Sequence, residues 1–309
     1  MLDEGANERS LRLSAVAALS TLLAITIYVV AVRTSLGQRL DDVAFNRRSV
    51  VTAATTRQTD RLLGTISVAS LIVFGGVVVV TALARRRLSL AVAAGIAMSG
   101  SVITAEVLKL RVLTRPDFSG VNGLGYNTFP SGHTTIGMAL SLGVVMVAPP
   151  HLRRVALLIA ALTSTAFGTA VLASGWHRPS DAVAGFLVAL GWFAAVSCVL
   201  VRFEHRNGAR RHVAVEPPTS QPLVVAAGVA VFGLLMFVLW KSISATGLHT
   251  VIYAAPYIAA IVGIDAVGLI VVGTYYIVDR TSARDVAPLR SAPDAHVTPT
   301  TRRSTTEPV

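Results

Sequence analysis

Runs of about 20 mainly apolar residues, each long enough to cross the hydrocarbon layer of a bilayer as a helix, follow one another along most of this chain. Eight are read: Leu13 to Val32, Leu62 to Ala84, Leu88 to Leu108, Thr134 to Ala148, Val155 to Ala173, Ala182 to Val201, Leu223 to Trp240 and Val251 to Val278. The fourth is short unless it extends back through Pro130, and the last is long enough to tilt. With 53% hydrophobic and only 14% charged residues over 309 positions, the chain has too few polar groups for a soluble protein of its size. The predicted fold class is all-α: a polytopic membrane helix bundle with a six-helix core and a C-terminal two-helix hairpin.

A net charge of +11 would suit nucleic acid, but the arginines cluster in short loops between apolar runs, the pattern that sets membrane orientation. No nucleic-acid partner is expected. With the amino terminus inside, the inner face receives 16 of the 27 basic residues. Of the others, Lys109 and Arg115 have a separate reason to lie where they do. Cys198, the only cysteine, falls within a span, so no intrachain disulfide can form. The first span is read as retained, since acidic residues mix with arginines before it and no small-residue cleavage site follows. The expected organisation is a first span and outer loop over 1–61, a core over 62–203, a basic linker over 204–222, a hairpin over 223–280 and a disordered tail over 281–309.

Three polar islands interrupt the apolar pattern where spans meet water: Lys109 to Pro116, Pro130 to His133, and His177 to Asp181. The first ends span three, the second opens span four and the third joins spans five and six. Spans four and five carry the chain away and back, so all three islands meet on one face. Ser131, Gly132 and His133 open a helix, where unpaired amides and a glycine admit an anion. A plainer account makes Ser131 a cap and His133 an interfacial residue. Pro179 suits the first turn of the next helix, which sets His177 just before it and Asp181 within reach of His177. A carboxylate accepting the imidazole N–H would fix its tautomer and leave the other nitrogen free as a nucleophile; otherwise Asp181 merely complements the helix dipole. Trp176 reads as an interfacial aromatic.

Together the islands resemble the type 2 phosphatidic acid phosphatase (PAP2) family, which includes lipid phosphate phosphatases and vanadium haloperoxidases. The family pattern is Lys, six residues, Arg-Pro; Pro-Ser-Gly-His; then Ser-Arg, five residues, His, three residues, Asp. The resemblance covers about Leu62 to Phe203. It implies a six-helix core and hydrolysis of a lipid phosphate through a phosphohistidine, with no metal or cofactor. By matched position, His177 is the implied nucleophile, Asp181 its orienting partner and His133 the acid for the departing oxygen. Arg115, Ser131 and the Gly132 amide are the implied phosphate ligands. The implied location is the cell membrane, with the site on the extracytoplasmic face.

The chain departs from the pattern twice. Lys109 precedes Arg115 by six positions rather than seven, which on a helix turns it aside; Arg111, four before Arg115, has same-face spacing and could share its task. Ala170 and Val171 occupy the place of Ser-Arg, so one phosphate-binding cation is missing, and Arg178 is the candidate to compensate. Asp265, near the middle of the last span, is expensive in lipid and expected to pair with a polar group. Glu106 is expected to balance Lys109. Leu40, Val43 and Ala44 share a helical spacing that hints at a surface-lying amphipathic piece, with an ordinary loop the alternative. Phosphoryl transfer to an acceptor other than water, or lipid binding and transport without turnover, are the competing functions.

Overall fold

The computed structural model describes residues 4–65, 68–118, 126–206 and 248–280. Among them are nine helices and no strands: α1 (Glu4–Ile27), α2 (Ser35–Asn46), α3 (Ala53–Gly64), α4 (Val68–Ala84), α5 (Leu88–Val107), α6 (Gly132–Val147), α7 (Arg153–Ala173), α8 (Pro179–Arg206) and α9 (Leu248–Arg280). The expected run from Leu223 to Trp240, and the tail, lie outside the described residues. Five of the helices are long and apolar enough to span a bilayer, and Leu71–Ala84 and Gly132–Val147 are shorter apolar helices. The protein is therefore a multi-pass membrane protein.

Two boundaries differ from the sequence reading. The run beginning at Leu62 is divided, because α3 ends at Gly64 and α4 starts afresh at Val68. The fourth run does not extend back through Pro130: Ser131 caps it in an extended conformation and the helix starts at Gly132. At 16 residues that helix covers roughly 24 Å, less than a bilayer's hydrocarbon. It is buried along most of its length, so its neighbours meet the lipid instead.

Between spans in lipid, association rests on close packing, and small residues let backbones approach. Helix α8 is the hub, touching α1, α5, α6 and α9. At Gly185 a methyl group would fall 2.7 Å from the Ser131 carbonyl oxygen, so only glycine lets the amino ends of α6 and α8 meet. There the Ser131 amide donates to the Asp181 carbonyl (2.9 Å) and Thr134 Oγ1 donates to the Ala182 carbonyl (3.1 Å). Backbone contact thus welds two of the polar islands together. The opposite ends of the spans are tied by Arg9 to Asp279, Arg87 to Glu204 at 3.1 Å and Arg85 to the Val147 carbonyl at 2.5 Å. The three islands lie together on the other face.

The stretch after α1 folds as helix α2, capped by Thr34, whose hydroxyl accepts from the Gly37 amide at 3.0 Å. It is the amphipathic piece that the spacing suggested, although Ala44 is buried. Leu36, Leu40 and Val43 face outward, while Gln38, Asp41, Asp42, Ala44 and Phe45 are buried. An outward apolar stripe costs nothing against lipid, and the inward acids meet arginines. Asp265 also finds a partner, the Thr169 hydroxyl on α7, at 3.0 and 3.2 Å from its two oxygens.

A candidate active site at the amino ends of two helices

The geometry starts from the two helix ends. The Ser131 hydroxyl accepts from the Thr134 amide at 3.4 Å, while the α5 side of Gly132 is filled by the Glu106 carboxylate, which packs where a Cβ would lie. There Lys109 and Glu106 pair at 2.7 Å, and Lys109 Nζ lies 3.5 Å from where a Gly132 Cβ would be. His133 follows, its ring edge-on to Trp176 at 5.1 Å and 6.4 Å from the ring of His177. Trp176, expected only as an interfacial aromatic, is also a wall for this histidine.

Asp181 is the centre of the arrangement and is fully buried. One of its oxygens accepts from Arg115 Nη2 at 2.7 Å. The other accepts from the Thr128 hydroxyl at 2.5 Å and the Arg178 amide at 3.0 Å. The same oxygen stands 3.6 Å from His177 Nδ1, beyond a good hydrogen bond, and Nδ1 has no other partner among the described residues. Such contacts commonly tighten when substrate binds. The Arg115 side chain is only 3% exposed, and its Nε and Nη1 have no hydrogen-bond partner among the described residues. A buried guanidinium with unspent donors beside a histidine is suited to an oxyanion.

Arg115 arrives there because α5 ends in a wide π-helical turn, Leu108–Val112, after which Leu113 is extended. Asn127 fastens this segment, donating to the carbonyls of Lys109, Leu113 and Phe129 at 3.0 to 3.1 Å. No continuous helix joins residues 109 and 115, so arguments from helical spacing do not apply between them. Lys109 reaches the amino end of α6 despite its six-residue separation, whereas Arg111 is exposed on the π turn, not on a shared face with Arg115.

Val171 is fully buried in the main apolar cluster, and its carbonyl accepts from the amides of Trp176 and His177 at 3.1 and 3.2 Å. Arg178 is also buried, with Nε donating to Asp42 at 2.5 Å and its guanidinium 5.5 Å from the centre of the Phe45 ring. Helix α2 holds it through Nε, while its Nη1 has no hydrogen-bond partner among the described residues. Beside it, Asp41 accepts from the Ser180 amide (3.0 Å) and hydroxyl (2.5 Å) and lies 3.9 Å from Arg115 Nη1. Burial, and then the charge of Asp181, push the Asp41 carboxyl up to about 7, against the opposing pull of Ser180 and Arg115. Asp41, Asp42, Thr128 and Asn127 were not singled out from the sequence. The two aspartates carried one usable signal, an adjacent acidic pair inside an otherwise basic outer loop.

Helices long and apolar enough to cross a bilayer define a multi-pass membrane protein, and at one face a buried arginine–aspartate pair meets His177, whose ring lies 6.4 Å from that of His133. The sequence model of the PAP2 superfamily matches residues 88–205, from the start of α5 to the end of α8, and this part of the chain is a PAP2 superfamily domain. No curated protein and no solved structure matches the chain. The matched region holds all three polar islands and leaves α2, with Asp41 and Asp42, outside it.

Proposed function

We propose that this protein is a lipid phosphate phosphatase that works through a phosphohistidine on the extracytoplasmic face of the cell membrane. The observation that carries the reading is the placement of His177 between Asp181 and His133, with Asp181 also holding Arg115, two of whose donors are unspent. A second feature supports a lipid. An open groove of about 760 Å³ runs between α1, α5 and α8, from Pro130 and Phe129 at the site along the outer side of the helices to half-buried Ala17 and exposed Ala195. Its wall is almost wholly apolar, which suits a hydrocarbon tail. Orientation follows from charge, since the face away from the site gathers Arg9, Arg12, Arg85 to Arg87, Arg153 and Arg154.

In the proposed reaction, His177 attacks phosphorus through Nε2 while its Nδ1–H turns to Asp181, which stabilises the positive ring. The bond from phosphorus to the lipid oxygen breaks, and His133 protonates that oxygen as it leaves. Water then attacks the phosphohistidine with His133 taking its proton, and inorganic phosphate departs. Arg115, Lys109 and the amides at the amino end of α6 counter the charge spread over the phosphoryl oxygens.

The test is phosphate release by the full chain in lipid nanodiscs from phosphatidic acid, phosphatidylglycerol phosphate and polyprenyl phosphates and diphosphates, with a chelator present. Turnover abolished by His177→Ala, with acid-labile, alkali-stable ³²P trapped on wild-type protein by an alkaline denaturing quench, is the expected result. Lipid movement without phosphate release would replace this reading with transport. Phosphate appearing on an added alcohol would make the protein a phosphotransferase.

A further inference from the structure

Helix α2 lies outside the matched domain, yet it brings a carboxylate to the guanidinium that an anionic substrate would seek. Asp41 occupies the amino end of α8 through the Ser180 amide and hydroxyl, and its Oδ2 is the nearest acid to Arg115 after Asp181. The ion-pair census is lopsided. Arg115 faces two carboxylates, Asp181 and Asp41, and Arg178 is taken by Asp42. Lys109 is neutralised by Glu106. At Arg115 itself two carboxylates face one guanidinium, and Val171 supplies no further cation. An arriving phosphate would meet a site already negative.

We propose that Asp41 is a positioning residue that competes with the substrate's phosphate for Arg115, so that substrate binds tightly only when Asp41 is protonated. This inference rests on the phosphatase reading. Neutral Asp41 still caps α8, accepting from the Ser180 amide, but it no longer draws on Arg115, whose free Nε and Nη1 then turn wholly to the ligand. The groups around it are fixed. Asp181, Ser180 and, through Asp42, Arg178 approach from α8, and Arg115 approaches from the extended segment after α5. On the π turn after α1, Tyr28 is bonded to Thr114 instead. On α9, Tyr253 lies beneath Arg47 and Tyr257 faces Arg48. Burial beside Asp181 lets the Asp41 proton persist to about pH 7, within the range where a membrane surface operates.

The experiment compares wild type with Asp41→Asn, whose side chain copies the neutral acid, by steady-state turnover of phosphatidic acid in nanodiscs from about pH 5.5 to 8. The ratio of the two KM values removes the substrate's own ionisation. It is expected near one at the acid end and roughly tenfold at pH 8, since the competent fraction falls about tenfold per pH unit above the carboxyl's pKa. kcat is expected to move less than KM. A ratio that stays constant with pH, or a KM raised by Asp41→Asn at every pH, overturns the proposal. Should Asp41→Asn not fold, Ser180→Ala removes the hydroxyl that favours the charged carboxylate, and the wild-type rise in KM must move to higher pH; no movement is equally fatal. Orthovanadate affinity by calorimetry, measured on the same proteins, separates the two levels. Absent turnover with the pH-dependent affinity ratio intact refutes only the phosphatase reading, whereas a flat ratio refutes this one.

Discussion

The pair most exposed to test is Arg115 with Asp181, because both side chains are almost wholly removed from water, at 3% and 0% exposure, and meet at 2.7 Å. Asp181→Asn preserves volume and can still accept from the Arg178 amide and Thr128 on one oxygen. It also turns an amide N–H toward Arg115, setting donor against donor. What remains near the guanidinium is Asp41, at 3.9 Å. Removing one member of a buried pair costs about 3 to 5 kcal/mol because the other charge is stranded, whereas removing both is close to neutral. Asp181→Asn is therefore expected to lose about 3 kcal/mol, Arg115→Met a similar amount, and the double variant far less than their sum. The coupling should be about 2 kcal/mol or more, well above the ~0.5 kcal/mol at which separate sites pass as additive. Reversible unfolding in mixed detergent micelles, followed by tryptophan fluorescence, measures all four corners of the cycle. Additivity within that margin would show that the two groups do not sustain one another, and the account of Asp181 as the organising acid would fail.

Gly185→Ala is expected to cost about 2 kcal/mol in the same assay, since the new methyl meets the Ser131 carbonyl at 2.7 Å in a contact with no slack; unchanged unfolding would mean the helix ends are not in backbone contact. Val171→Arg inserts a charge into a fully buried apolar position and is expected to reduce stability by several kcal/mol. Wild-type stability with faster turnover would instead mean that the new guanidinium reaches the phosphate and that the missing cation limits the enzyme. Trp176→Ala removes the wall against the His133 ring and is expected to lower kcat about tenfold, less than loss of the acid itself, with KM little changed. An equal rise in KM would assign Trp176 to substrate contact.

What the sequence disclosed and what it withheld divide along a physical line. Apolar runs of membrane length are a strong local signal, so the helical class and the positions of α1, α5, α7, α8 and α9 could be read directly. Parity of the spans brought the three polar islands to one face without any side-chain geometry. Spacing arguments failed where the backbone left the regular helix. Residues 108–112 form a π turn and Leu113 is extended, so the 100° per residue that would turn Lys109 aside and align Arg111 with Arg115 does not hold there. Helix α2 was legible as an amphipathic piece but not in its contacts: Leu36, Leu40 and Val43 face out, Ala44 is buried, and the acids turn in. Long-range pairs such as Arg178 with Asp42, separated by 136 positions, leave no trace in a single sequence.

The loss of an arginine at position 171 and the presence of Asp41 bear on the same quantity, the net charge a phosphate meets. A site that lacks a cation can regain attraction for a dianion by acquiring a positive group or by discharging a negative one. Arg178 is the obvious replacement in sequence, but its Nε is bonded to Asp42, and turning it to a ligand would break that buried ion pair. Discharging Asp41 strands nothing, because its neutral form keeps the Ser180 amide bond and leaves Arg115 paired with Asp181. The second route thus asks less of the fold, and it makes a particular demand on solution behaviour. Buried charges are poorly screened, so the advantage of Asp41→Asn at pH 8 should persist from low to physiological ionic strength. If the gain in affinity vanished with added salt, the competition would belong to exposed charges such as Arg111, and Asp41 would be reduced to a cap on α8.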